Sequence, residues 1–221
     1  MSRCTRRGLA PALAVTAALL LATGSARSDE KPSSGWVNLL AGGDLAGHWT
    51  TKGNWKLGKD GVLSLTPRPG EKGWDRFDAY LWSKKQYKDF EADFEYKVAK
   101  GGNSGFYFHV GDKKSPVVKG IEVQIYDSAG KKPGEKLTDH DSGGLIPGIP
   151  PTKNAAKAAG EWNQMKVTCK GGKVTVVLNG EVVNEAALDS RTIKDRPATG
   201  YIGFQDHGLP LSLRNIYLQG L

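Results

Sequence analysis

The chain is short of cysteine, short of histidine and almost without helix signals, and each shortage excludes a class of protein. Its two cysteines are Cys4 and Cys169. Cys4 precedes an apolar run that reads as a leader, so the remaining chain holds one thiol and cannot form an internal disulfide. Cys169 alternates with Val167 on a predicted strand, as a buried small hydrophobe does. The four histidines and the acids have no metal-ligand spacing. No Gly-x-Ser-x-Gly elbow occurs, and a cysteine nucleophile has no clear partner. Heptads, internal repeats, low-complexity tracts and a βαβ rhythm are all missing, which sets aside coiled coils, solenoids and parallel α/β folds. The formal charge is +8, but the lysines are scattered through loops and no basic helix could enter a groove. The expectation is a solvated surface and no nucleic-acid partner.

Residues 1–26 read as a secretory signal peptide. Arg3, Arg6 and Arg7 form a positive n-region, Leu9 to Leu21 an apolar stretch broken only by Pro11 and Thr16, and small residues up to Ala26 suit a peptidase. The stretch is too short and Ala-rich for a good membrane span, although an uncleaved N-terminal anchor is the alternative. Cleavage would leave an exported protein, periplasmic or secreted, that does not reside in the membrane. Residues 27–34 read as a polar linker and 35–221 as one domain.

Within that domain the pattern has period two. Phe90, Ala92, Phe94 and Tyr96 alternate with Glu91, Asp93 and Glu95, as on a strand with one face in a core. Phe106, Phe108 and Val110 alternate with Gly105, Tyr107 and His109. Ile121, Val123 and Ile125 alternate with Glu122, Gln124 and Tyr126. Asp60-Gly61 and Asn179-Gly180 mark hairpin turns. A short helix is expected only around 155–159. The 29 glycines and 11 prolines fit many turns. The expected fold is all-β, a jelly-roll sandwich of two antiparallel sheets. Residues 128–160 carry no clear strand and read as a loop over a binding site, or else as a disordered insertion.

The strand Gly120-Ile-Glu-Val-Gln-Ile-Tyr-Asp127 is the centre of the functional reading. Alternation sets Glu122 and Gln124 on the face opposite the core. Asp127 would join them only through a bulge near Tyr126. Two carboxyls on one sheet face are what glycoside cleavage needs, whereas a solvated outer face explains most alternating glutamates. Asn103-Ser-Gly105 precedes a strand that offers Tyr107 and His109 on its polar side, and Gln205-Asp-His207-Gly ends another. Amides and imidazoles bond hydroxyls and rings stack on sugar faces, so these are candidate substrate contacts. His140 and Asp141 lie in the long loop and could close over the site. Trp74, in a polar loop, is a sugar-stacking candidate, and Trp162 reads as an anchor of the long loop to the core. Arg214 could pair with a carboxylate in the site or cap the sheet.

Six motifs in order resemble the 3-keto-disaccharide hydrolase domain: Asn103-Ser-Gly-Phe-Tyr-Phe-His109, the strand 120–127, Gly160-Glu-Trp-Asn163, Leu178-Asn-Gly180, Gly203-Phe-Gln-Asp-His-Gly208 and Arg214-Asn-Ile216. The resemblance covers nearly everything from Trp36 to Leu221. It implies a concanavalin-like lectin/glucanase jelly roll, a carbohydrate substrate and cleavage of 3-keto-glycosides, by proton abstraction at C2 followed by elimination or net hydrolysis. On that model Glu122 is the base and His140 or His207 the acid or polariser, with Asn103 and Gln124 holding hydroxyls. A divalent cation could replace a histidine as polariser. An upstream sugar oxidoreductase is expected, to install the ketone. A lectin-like binding module of the same fold is the alternative function. One turn departs from the family: Ser142-Gly-Gly-Leu-Ile146 stands where a Thr-Gly-Ala-x-Tyr type is usual. The strand 122–127 is also similar to the Glu-x-Asp-x-(x)-Glu strand of laminarinase-type glucanases, with Gln124 and Asp127 as departures.

Overall fold

The computed structural model describes Met1 and residues 34–132 and 134–221. The leader and almost all of the linker expected at 1–34 lie outside these residues. The remainder folds through fourteen strands: β1 (Val37–Asn38), β2 (Trp49–Thr50), β3 (Trp55–Leu57), β4 (Leu63–Leu65), β5 (Leu81–Tyr87), β6 (Phe90–Val98), β7 (Asn103–Val110), β8 (Ile121–Tyr126), β9 (Leu145–Ile146), β10 (Asn163–Lys170), β11 (Lys173–Leu178), β12 (Glu181–Ala187), β13 (Gly200–Phe204) and β14 (Leu211–Gly220). They form two antiparallel sheets. One has eight strands in the order β12-β11-β10-β6-β14-β4-β3, with β1 pairing β14; the other has six in the order β2-β5-β13-β7-β8-β9. Among the described residues no helix is long and apolar enough to cross a membrane.

Alternation explains how the layers meet. Phe90, Ala92, Phe94 and Tyr96 of β6, and Met165, Val167 and Cys169 of β10, turn inward from the eight-stranded sheet and are almost wholly buried. Phe106 and Phe108 of β7, Ile121, Val123 and Ile125 of β8, and Ile202 and Phe204 of β13 answer them from the other sheet. Phe94 meets Phe106 at 5.1 Å and Phe204 at 5.0 Å between ring centroids, so one aromatic knot ties the sheets together. Burial pushes the Cys169 thiol up to about 12, as suits an inert core residue. Asn179 and Gly180 both take positive φ between β11 and β12, the pairing a two-residue hairpin turn of type I′ requires.

Three local expectations fail, each for a visible reason. Residues 155–159 form no helix. Their backbone groups are taken by side chains instead: Lys157 N–H donates to Asn163 Oδ1, Ala158 N–H to Glu161 Oε2, and Ala155 C=O accepts from Asn179 Nδ2. The alternation of β7 breaks at its end. Tyr201 pairs Val110 while Gly203 pairs Tyr107, so Phe108 and His109 together oppose one residue, Ile202. This bulge, with His109 at φ +53°, turns His109 to the core side and Val110 to the outer side. Trp162 is no core anchor: it lies beneath the Arg214 guanidinium and the Lys97 ammonium.

Candidate active site

The outer face of the six-stranded sheet carries a second, smaller cluster of Tyr80, Trp82, Tyr107 and Val110, apart from the main core. Beside it opens a cleft of about 270 Å³ lined by Trp74, Asn103, Tyr107, Val117, Glu122, Gln124, His140, Ile146, Gln205 and His207. β7 and β8 supply its floor through their register: Tyr107 stands opposite Glu122 and Gly105 opposite Gln124. The β5-flanking loop contributes Trp74, the turn after β13 contributes Gln205 and His207, and the long loop contributes His140 and Ile146. The segment 128–160 therefore forms one wall of the cleft.

Glu122 is only 6% exposed, so its face is not a solvated one. Its Oε2 accepts a 2.6 Å hydrogen bond from the Tyr107 hydroxyl. Burial pushes its carboxyl up to about 7; the Tyr107 bond and His140 oppose that rise, and Asp139 adds to it. Burial also raises the Tyr107 phenol, and the Glu122 charge raises it further, so this hydroxyl remains a donor. The side chain of Glu122 lies across Gly105, where a Cβ would fall 2.0 Å from its Oε1. That close approach explains the glycine in Asn103-Ser-Gly105.

Hydrogen-bonding groups surround the carboxyl. Gln124 Nε2 donates to Asn103 Oδ1 at 2.9 Å. Gln205 is buried with its Oε1 unpaired. Trp74 is 47% exposed, leaving ring surface on the rim. His140 donates from Nδ1 to Asp139 Oδ1 at 2.9 Å, and Asp139 Oδ2 accepts from Gly148 N–H at 2.6 Å. Burial acts to raise the Asp139 carboxyl, but the Gly148 N–H and His140 together hold it below its ordinary value. With Nδ1 committed to an ionised carboxylate, Nε2 of His140 is left to act. Asp139 stands in no sequence motif; its place directly before His140 is its one signal in the sequence.

The walls are cross-braced. Arg76 Nη2 donates to Asp206 Oδ1 at 2.6 Å and Arg76 Nη1 lies 3.3 Å from Glu71, joining the loop that carries Trp74 to the turn that carries Gln205 and His207. Asp206 is fully buried and also accepts from Gly208 N–H.

Four sequence candidates lie elsewhere. Asp127 does not share the face of Glu122, because β7 and β8 stay in continuous register with no bulge; its Oδ2 accepts from Gly101 N–H at the β6–β7 turn. His109 is carried into the core by its bulge, where its Nε2 lies 2.6 Å from Lys88 C=O and its ring packs on Phe108. Arg214 pairs with Glu95 of β6 in the other sheet, through Nε at 2.9 Å and Nη2 at 2.6 Å. Asp141 does not close over the site: it accepts from Lys131 Nζ and Thr138 N–H and pins the loop. Among the described residues no group of three or more His, Cys, Asp or Glu could hold a metal ion. The cleft's donors thus do not fit the cation considered above.

A family model, the 3-keto-alpha-glucoside-1,2-lyase-like domain, matches residues 35–219. The chain belongs to this family. As a 3-keto-alpha-glucoside-1,2-lyase-like domain it is similar to the 3-keto-disaccharide hydrolase of Bacteroides thetaiotaomicron, 28% identical over 200 residues that cover 74% of this chain and 69% of that one. It also resembles the crystal structure of a Parabacteroides distasonis protein provisionally named a glycosyl hydrolase, with TM-score 0.71 and 26% identity over 84% of this chain and 99% of that one. The Bacillus licheniformis β-glucanase shares the fold at 12% identity and TM-score 0.53, over 86% of this chain and all of that one. The sandwich is concanavalin-like, as the sequence resemblance implied.

Proposed function

We propose that this domain cleaves 3-keto-glycosides at the cleft around Glu122. One observation carries the reading: a buried carboxyl, raised to about 7 and held by Tyr107, faces a cleft lined with amides, imidazoles and an exposed tryptophan. A carboxylate so placed is a stronger base than one in water, yet it is substantially ionised near neutral pH.

The chemistry follows from the substrate. A ketone at C3 of the glycosyl unit acidifies the hydrogen on C2. Glu122 takes that proton, and the electron pair moves into an enolate on the C3 oxygen. The enolate collapses to form the C1–C2 double bond as the C1–O bond breaks, its electron pair leaving with the aglycone oxygen. His140 Nε2 gives that oxygen a proton, with Asp139 holding the imidazolium. His207 faces the carbonyl oxygen and steadies its charge, while Asn103, Gln124 and Gln205 hold hydroxyls. Addition of water at C1, with a proton returned to C2, turns the elimination into net hydrolysis. An enzyme that oxidises the C3 hydroxyl must act first. Export through the leader at 1–26 belongs to the same proposal.

Direct hydrolysis of an ordinary glycoside fits less well. It needs two facing carboxyls, and among the described residues lining the cleft Glu122 is the one carboxylate. The test is to incubate the protein with 3-keto-trehalose and with trehalose, beside Glu122→Gln. Product from the keto sugar alone, abolished in the variant while binding persists, is the expected result. Cleavage of plain trehalose overturns the mechanism; binding without turnover in the wild-type protein makes the domain a sugar-binding module.

A further inference from the structure

A second depression, of about 490 Å³, adjoins the cleft and is lined by Thr50, Thr51, Lys52, Asp75, Phe77, Asp78, Trp82, Lys113 and Lys114. Its walls are the walls of the cleft carried onward. The loop before β5 places Trp74 in the cleft and Asp75, Phe77 and Asp78 in the groove. The β7–β8 connection places Val117 in the cleft and Lys113 and Lys114 in the groove. An aromatic series runs beneath both: Trp74 to Phe77 at 6.0 Å, Phe77 to Tyr80 at 5.7 Å, Tyr80 stacked on Trp82 at 5.4 Å, and Trp82 to Tyr107 at 6.0 Å. The two depressions are therefore neighbours along one aromatic series.

The two depressions differ in chemistry. The cleft offers amide and imidazole groups for hydroxyls, whereas the groove has neither. Its polar atoms are mostly committed: Thr51 Oγ1 donates to Ala79 C=O, Trp82 Nε1 donates to Phe77 C=O, Lys52 pairs with Asp78, and Lys113 Nζ donates to Ser83 C=O over the Tyr201 ring. What remains is the half-buried Phe77 ring, packed edge-on against Tyr80, and the exposed side chains of Lys114 and Asp75. A flat ring would gain aromatic contact with Phe77, whereas a sugar's hydroxyls would meet charged side chains there in place of the cleft's amides and imidazoles.

We propose that the groove is an aglycone subsite that takes a flat phenolic aglycone, an inference that rests on reading the cleft as the place of 3-keto-glycoside cleavage. The experiment compares kcat/KM for 4-nitrophenyl 3-keto-glucoside, methyl 3-keto-glucoside and 3-keto-trehalose in the wild-type protein, Phe77→Ala and the groove-filling Lys114→Trp. Each variant should lower the aryl-to-methyl ratio about tenfold, the scale of a lost aromatic contact, and leave the trehalose-to-methyl ratio in place. Differences in leaving-group ability cancel when each ratio is compared between a variant and the wild-type protein. An equal fall for all three substrates, or a fall of the trehalose ratio as well, overturns the aryl assignment. Binding of free 4-nitrophenol, followed by saturation-transfer NMR, separates this inference from the reading beneath it. If the wild-type protein turns over no keto sugar, the cleavage reading fails. Aryl binding that Phe77→Ala weakens still supports the groove, and no binding, or equal binding, overturns it.

Discussion

Glu122 carries an opposition between stability and chemistry. Its folded-state carboxyl sits at about 7 against an ordinary 4.5, so the folded chain holds this proton more tightly than the unfolded chain. Stability contributed by the site is therefore present below pH 4.5 and falls as pH rises from 4.5 to about 7. A shift of this size corresponds to up to roughly 3 kcal/mol above pH 7. Glu122→Gln keeps an acceptor for the Tyr107 hydroxyl and removes the buried charge. It should be more resistant to urea than the wild-type protein at pH 8 and nearly equal to it at pH 4. Equal destabilisation at both pH values would show that the carboxyl is a structural brace. The acidic limb of the wild-type kcat/KM profile on a keto sugar should be centred near 7, since the base must be ionised, and it rises with pH where the stability falls.

At the scale of elements the β7–β8 pair does most to build the site. Gly105 admits the Glu122 side chain as Gly203 admits the Trp82 indole, where a Cβ would fall 2.3 Å from the ring. Gly105→Ala should displace the carboxyl from Tyr107, lower kcat well before KM, and cost about 1–3 kcal/mol of stability by overpacking. Stopped assays on the keto sugar and thermal melts check both parts, and full activity with normal stability would contradict the arrangement. The pairing itself was readable in the sequence, because alternation places Ile121, Val123 and Ile125 inward and Glu122 and Gln124 outward without further knowledge. The motifs contribute Asn103, Tyr107, Gln124, Gln205 and His207 to the cleft, and the long loop and a polar loop, read separately, contribute His140 and Trp74. The failures have a common origin in non-periodic backbone. His109 has the spacing of an outward residue, but one extra residue in β7 reverses it, and a histidine at positive φ gives no glycine-like warning. Asp127 needed a bulge that β8 lacks. In the long loop, Asp139 and Asp141 differ in role only through their partners, an imidazole for one and Lys131 with Thr138 for the other. Those partners are set by turns that no period describes.

On the scale of the whole molecule, the eight-stranded sheet supports a site to which the four residues Glu122, Tyr107, Gln124 and Asn103 come entirely from the other sheet. The coupling runs through the shared aromatic knot, where Phe94 of β6 packs on Phe106 of β7 and Phe204 of β13, all almost fully buried. Gln205 follows Phe204 directly and Tyr107 follows Phe106, so each anchored ring sits one residue from a cleft side chain. Phe94→Ala should cost about 3–5 kcal/mol through lost transfer energy and the cavity it leaves. For a domain of this size that is a fall of roughly 6–20 °C in Tm. Because the domain should unfold as a cooperative unit, the temperature at which activity is lost should fall by the same amount, while kcat at 25 °C changes little. A Phe94→Ala protein that melts early but keeps its turnover at low temperature would identify the eight-stranded sheet as support. If kcat instead falls in step with the cavity at 25 °C, while circular dichroism shows the chain still folded, then the knot sets the spacing of Tyr107 and Gln205, and the core of the sandwich takes part in positioning the cleft.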